Sequence, residues 1–171
     1  IVSEHHSDGL GAIDRAAVDR FFEQYIDGRR TGAAVVLADV FQFGDSAEMA
    51  DQLLALVVDG PKRATASCRL VYADDGGDLP EVGDLSVVCD GRGQPRAVVE
   101  TTDVRVGPLV SVDDQFAWDE GEGDRTRDDW LEMHSRYFAR AHPEHWADYG
   151  DDLPVVFERF ELRCPEPGTG R

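Results

Sequence analysis

The residues of this chain best suited to chemistry are Lys62, Thr65 and Glu100. Of seventeen basic side chains sixteen are arginine and one, Lys62, is lysine. Arginine serves any exposed positive charge, whereas only lysine offers an amine that can lose its proton when desolvated. Lys62 and Thr65 fall on the turn between a helix end at Gly60-Pro61 and a following strand, where side chains can converge on a cleft without being claimed by the core. Glu100 interrupts an apolar strand beside Val98 and Val99, so its carboxylate calls for a partner, and the Lys62 ammonium is the obvious candidate. A structural ion pair or an exposed strand glutamate is the competing reading of Glu100.

Positive charge is locally concentrated here. From Gly60 through Ala73 there is no acidic residue, yet Lys62, Arg63 and Arg69 all occur there, and a second acid-free stretch carries Arg92 and Arg96. If the two stretches fold together they form a basic spot suited to one phosphate, one nucleoside or a short strand. Otherwise the charges are simply scattered. The acidic loop Asp119 to Asp124 has two readings as well: oxygen ligands for a hard cation, or the acids and glycines with which one helix stops and the next starts. His134 lies on the apolar stripe of a long helix and reads as a hydrogen-bonded core histidine, His142 and His145 flank a proline and read as exposed, and His5-His6 carries no sign of a site. There is no G-x-S-x-G elbow, P-loop, Rossmann fingerprint or H-E-x-x-H motif.

The elements that must position these residues follow from periodicity. Val18, Phe21, Phe22, Tyr25 and Ile26 predict an amphipathic helix over 14–26, stopped at Gly28. Val35 to Phe43 reads as a strand. Asp45 with Glu48 resembles a capped start of the helix carrying Met49, Leu53, Leu54 and Val57. Alternation from Thr65 to Tyr72 predicts a strand with Thr65, Ser67 and Arg69 on its polar face. Strands are expected at 85–89 and 96–106, joined by a hairpin at Asp90-Gly91, and at 155–162. Between them, Ser111 and Thr126 are the expected caps of a short helix ending at Gly121 and a long one closed by Pro143. Turns this tight after residue 64 cannot cross over between parallel strands. An α+β fold with an antiparallel sheet, curled into a small barrel, follows.

At 171 residues, 42% of them apolar, the chain suffices for one core. A net charge of −18 disfavours sequence-blind binding to nucleic-acid backbones or an extended duplex. No apolar run approaches a membrane span and the N-terminus lacks a secretory pattern, so a cytoplasmic location is expected. Cys68, Cys89 and Cys164 are odd in number and far apart, and read as reduced and structural.

The segments Phe41–Ser46, Gly60–Ser67, Val82-Gly83-Asp84, Val99–Val104 and Glu120–Asp124, in this order, resemble the ASCH-domain proteins over roughly 38–163. The resemblance implies a PUA-like β-barrel flanked by helices, a fold associated with RNA binding, preceded by an N-terminal segment (1–37) whose helix packs on it and followed by a flexible tail (164–171). It also implies a cleft around G-x-K-x-x-T. Some members are described as ribonucleases on single-stranded RNA, and a small relative removes the acetyl group from acetylcytidine with a lysine, a threonine and a glutamate. By motif these fall on Lys62, Thr65 and Glu100, with Arg63, Ser67 and Arg69 as substrate-binding neighbours. In that scheme Lys62 activates the Thr65 hydroxyl and Glu100 holds the lysine and carries a proton to the leaving amine. The expected partner is a small nucleoside or short single-stranded RNA, with no cofactor beyond a divalent cation such as manganese if the chain is a ribonuclease. A non-catalytic RNA- or nucleotide-binding module is the alternative, and homodimerisation is left open.

Overall fold

The computed structural model describes residues 9–28 and 35–165. The His5-His6 pair, the first eight residues and the tail from 166 lie outside them.

The first helix, α1 (Arg15–Asp27), begins where the Asp14 carboxylate accepts from Ala17 N, and turns Val18 and Phe22 inward. Strand β1 (Leu37–Phe41) leads into α2 (Ala47–Val58). The cap of α2 is Ser46, which accepts from Met49 N, and not Asp45, whose carboxylate instead pairs with Arg140. Strand β2 (Ala64–Cys68) is shorter than its alternation predicts, because the chain turns into a six-residue helix, α3 (Arg69–Asp74). Leu70 and Val71, adjacent in sequence, both pack on the same apolar cluster. A strand sends neighbouring side chains to opposite faces and could not do this.

Strands β3 (Leu85–Cys89) and β4 (Pro95–Pro108) form the predicted hairpin. Helix α4 (Asp114–Glu120) is capped by Asp113, not Ser111, and stops at Gly121 in the left-handed region at φ 74°. Helix α5 (Arg127–Ala141) starts at Thr126, whose hydroxyl accepts from Asp129 N as expected. Pro143 does more than close α5: it is the first residue of α6 (Pro143–Tyr149), where a missing N–H costs nothing. Strand β5 (Pro154–Cys164) completes the fold.

The five strands form one mixed sheet in the order β1-β3-β4-β5-β2. This corrects two expectations. The sheet is not purely antiparallel, because β1 runs parallel to β3, reached by a crossover through α2, β2 and α3 that the short turns after residue 64 do not restrict. Nor does it close into a barrel: β1 and β2 are its two edges and do not pair, since each is only five residues long and β2 gives way to helix before it can meet β1.

Alternation along the sheet sorts side chains by face. Val87 and Val98 pack under α1 with Val18 and Phe22, whereas Val88 and Val99 join Leu54 and Val57 of α2 on the other side. A third cluster places Phe116, Trp130 and Phe138 of α4 and α5 against Phe157. Cys68 and Cys89 are buried and free. Among the described residues no helix is long and apolar enough to cross a membrane.

Candidate functional site

Two polar regions stand out from this apolar frame. The first is a buried charge cluster at the Pro61–Arg63 turn. The turn is held on three sides: Lys62 N donates to Leu56 O (3.1 Å) at the end of α2, Arg63 N donates to Asp119 O (2.7 Å) in α4, and Phe160 N of β5 donates to Arg63 O (2.9 Å). Lys62 is 1% exposed. Its ammonium donates to Glu122 Oε1 and lies 3.7 Å from Glu120 Oε1, with the Phe43 ring centroid 5.3 Å away.

Glu120, equally buried, accepts from Trp130 Nε1 and pairs with His134 Nε2 at 3.4 Å. The His134 ring stacks on Trp130 with centroids 3.8 Å apart, and its Nδ1 faces Trp130 O at 3.0 Å. Both ring nitrogens therefore face acceptors, which suits an imidazolium. Burial pushes the His134 pKa down, but the Glu120 carboxylate outweighs it and the net shift is upward. Burial pushes Glu120 up in turn, and His134 and Lys62 carry it below the usual carboxylate range. Lys62 thus meets two carboxylates, and one of them, Glu120, is shared with His134.

The second region is a cleft of about 580 Å³, a volume typical of small-molecule sites. It opens between the two unpaired sheet edges, with β1 supplying Asp39 and Phe41 and β2 supplying Thr65 and Ser67. Thr65 is the register partner of Glu158 on β5, so the two side chains are cross-strand neighbours on one face. Glu158 accepts from the Thr101 hydroxyl at 2.6 Å. Burial raises the Glu158 pKa, and the nearby carboxylates of Asp39 and Asp84 raise it further. Ser67 and Tyr72 share a hydrogen bond of 3.0 Å, while the Thr65 hydroxyl has no hydrogen-bond partner among the described residues. Tyr137, also on the wall, is pushed up to about 12 by burial, so it meets a ligand as a neutral phenol.

The sequence candidates divide between these regions. Thr65 and Ser67 line the cleft, and Lys62 sits behind Phe43 in the charge cluster. Glu100 belongs to neither. Its carboxylate pairs with Arg163 at 2.8 Å near the surface, and no ion pair joins it to Lys62, whose carboxylate partners are Glu120 and Glu122. The reason is the pleat, since the next residue, Thr101, turns its hydroxyl to Glu158 and Glu100 must then point to the opposite face. Arg63 folds back to donate to Val57 O (2.9 Å) in the last turn of α2 and to Lys62 O (2.6 Å) on the turn itself. Arg69 is exposed on α3. Arg96 pairs with Asp90 at the hairpin. The basic spot is therefore not assembled, and among the described residues no lysine or arginine lines the cleft.

An ASCH domain model matches residues 39–163. The chain belongs to the ASCH domain family. An ASCH domain structure from Lactobacillus crispatus JV V101 superposes with a TM-score of 0.79 at 28% identity, covering 91% of this chain and 97% of that one. A protein structure from Enterococcus faecalis V583 matches with a TM-score of 0.74 at 32% identity, covering 91% and 96%. The comparison with curated proteins finds no match. ASCH domains are associated with RNA binding. In this ASCH domain the PUA-like fold is left open on one side, and the opening is the cleft.

Two residues at these sites escape a reading of the sequence. Glu122 hides in the acidic loop, where its acids satisfy both the cation-site and the helix-boundary readings. Among the described residues no three His, Cys, Asp or Glu side chains converge closely enough to share a metal ion, and this loop turns two of its carboxylates onto Lys62. Glu158 sits in a strand of regular appearance, and the one available signal was an acid amid the apolar run Val155–Phe160.

Proposed function

We propose that the cleft binds a modified nucleoside, or a single unpaired nucleotide by its base, and that the chain is an amidohydrolase acting on an acylated exocyclic amine. The observation that carries this reading is Thr65 opposite Glu158 within a cleft of nucleoside size. A threonine hydroxyl needs a base, and a carboxylate whose pKa is raised is a stronger one. In the proposed reaction Thr65 Oγ bonds to the acyl carbon as its proton passes to Glu158. The C–N bond then breaks as Glu158 returns that proton to the departing amine, and water releases the acyl group from Thr65. Lys62 acts here as a positioning residue, its pairs with Glu120 and Glu122 anchoring the turn that carries Thr65. Ribonuclease chemistry is less well supported, because among the described residues no cation on the cleft wall would meet a phosphodiester.

A regulatory binding module is the second reading. It is favoured by the engagement of the Lys62 amine as a donor to Glu122, which withholds it from Thr65 as a base.

The purified chain should be incubated with acetylcytidine and with single-stranded RNA, with and without manganese, beside Thr65→Ala, Glu158→Gln and Glu100→Gln. Release of cytidine that is lost in the first two variants and kept in the third supports the amidohydrolase. Manganese-dependent cutting of RNA with acetylcytidine untouched overturns it, and binding without turnover points to the module.

A further inference from the structure

Among the described residues, the half of β4 that runs past its hairpin partner has a strand on one side only. Its pairing with β3 ends at Glu100 opposite Leu85, and the last backbone bonds on that side join Thr101 to Gly83 and Asp84. From there to Pro108 it pairs with β5 alone.

One bond fixes the direction of the backbone groups. Leu109 N donates to Leu153 O at 2.9 Å, and in an antiparallel ladder the bonded pairs recur at every second residue. Gly107, Arg105 and Asp103 therefore turn their backbone groups toward Val155, Phe157 and Arg159 of β5. Val104 and Val106 turn theirs outward, and among the described residues no hydrogen bond reaches these N–H and C=O groups.

An edge of this kind is a template for another strand, and is ordinarily blunted by lysine, proline or a covering loop. Here both outward positions are valines. Val106 is 43% exposed and Val110, just past the strand, 39%. Where the edge begins, Val82 is 68% exposed beside Gly83. Large apolar side chains thus gather in the open along one edge.

Charge selects the occupant. Asp103 and Arg105 lie on one face of β4, opposite Arg159 and Phe157. When two copies pair this edge antiparallel about a two-fold axis at Val104, Asp103 of each stands opposite Arg105 of the other. These are the close positions of the new ladder, with Cα atoms about 4.5 Å apart. An axis at Arg105 sets that residue against itself, and an axis at Val106 sets it against Gly107. The first register alone matches charge, and it does so twice. Both side chains are within reach of a partner: Asp103 is 53% exposed, and Arg105 donates to Ser111 Oγ at the surface. The net charge of −18 on each copy is repulsive. At about 0.15 M salt, however, charges more than about 8 Å apart are largely screened, and the matched pairs lie inside that distance.

We infer that residues 102–106 of β4 form a self-association surface, through which two copies of this chain join β4 to β4 in antiparallel register about Val104. The inference is independent of the nucleoside reading.

Sedimentation equilibrium of the full chain at about 0.15 M salt tests it. The parent should dimerise with a dissociation constant on the order of 100 μM or tighter, as suits a small interface. Arg105→Asp and Asp103→Arg each set like charges opposite one another twice, and each should weaken the dimer at least about tenfold. An equal mixture of these two variants restores the matched pairs and should dimerise like the parent. Arg136→Asp makes the same change of charge on α5 and should have no effect. Val104→Pro removes an N–H that points outward, so it should abolish the dimer while the circular dichroism stays that of the folded chain. If that variant fails to fold, the mixing experiment decides. A parent that stays monomeric to about 1 mM overturns the inference, and is the result expected if another part of this chain covers the edge. A dimer indifferent to both reversals overturns it as well. So does weakening by both without recovery on mixing, which would trace the loss to local damage.

Discussion

The Lys62 cluster and the cleft lie on either side of Phe43 and treat polar groups in opposite ways. Around Lys62 every charge has a counter-charge and Glu120 is met by Lys62, Trp130 and His134 at once. In the cleft the Thr65 hydroxyl has no hydrogen-bond partner among the described residues, although Glu158 on the same wall accepts from the Thr101 hydroxyl. Polar groups that satisfy one another stabilise a conformation, whereas those left open await a ligand. The only lysine of the chain thus holds the Pro61–Arg63 turn in place beside Glu120 and Glu122.

The strongest way to break this contrast is to unbalance the cluster. Glu120→Ala leaves Lys62 and His134 buried without their shared carboxylate and should destabilise the fold by about 3–5 kcal/mol, read by chemical denaturation. Thr65→Ala should do the reverse: a loss of turnover of about a hundredfold or more on acetylcytidine, about 2.7 kcal/mol in the barrier, with denaturation changed by less than about 1 kcal/mol. Comparable losses of stability in both variants would erase the distinction between the regions.

Gly121→Ala probes the join between the loop and the turn. A Cβ there would lie 2.9 Å from Lys62 N and 3.0 Å from Pro61 C, both backbone atoms, at a positive φ. A cost of about 1–3 kcal/mol is expected.

The dependence of stability on pH should also differ in sign between the regions. The folded pKa of His134 is raised, so its contribution is fully present below its ordinary value of 6.5 and is lost as pH rises through the folded value. That of Glu120 is lowered, so its contribution is present above 4.5 and is lost as pH falls through the folded value. The cluster should therefore stabilise the fold fully between 4.5 and 6.5, and His134→Gln should flatten the alkaline limb. Glu158, with a raised pKa, works against the fold as pH climbs above 4.5. The stability of Glu158→Gln relative to the parent should accordingly rise over that range in thermal melts. The smallest effect belongs to Glu100→Gln. Its partly exposed pair with Arg163 should contribute no more than about 0.5 kcal/mol, with turnover unchanged.

Much of the fold was legible in local signals. The β3–β4 hairpin, the start of α5 at Thr126 and the stop of α4 at Gly121 each follow from a few adjacent residues whose backbone chemistry admits few alternatives. The end of β2 was not legible, because Arg69–Asp74 satisfies the strand period and only the packing of Leu70 beside Val71 decides for a helix. In the same way Glu100 and Glu158 both read as acids within apolar strands.

The order of elements, the amphipathic faces and the importance of the Gly60–Ser67 turn were determined by residue type and spacing alone, since these act within a few residues of chain. Which carboxylate meets Lys62, which one faces Thr65, and whether the sheet closes were decided by tertiary structure. Strand pairing brings together residues far apart in sequence, such as Thr65 and Glu158, and a shift of one residue along a pleat sends a side chain to the other face.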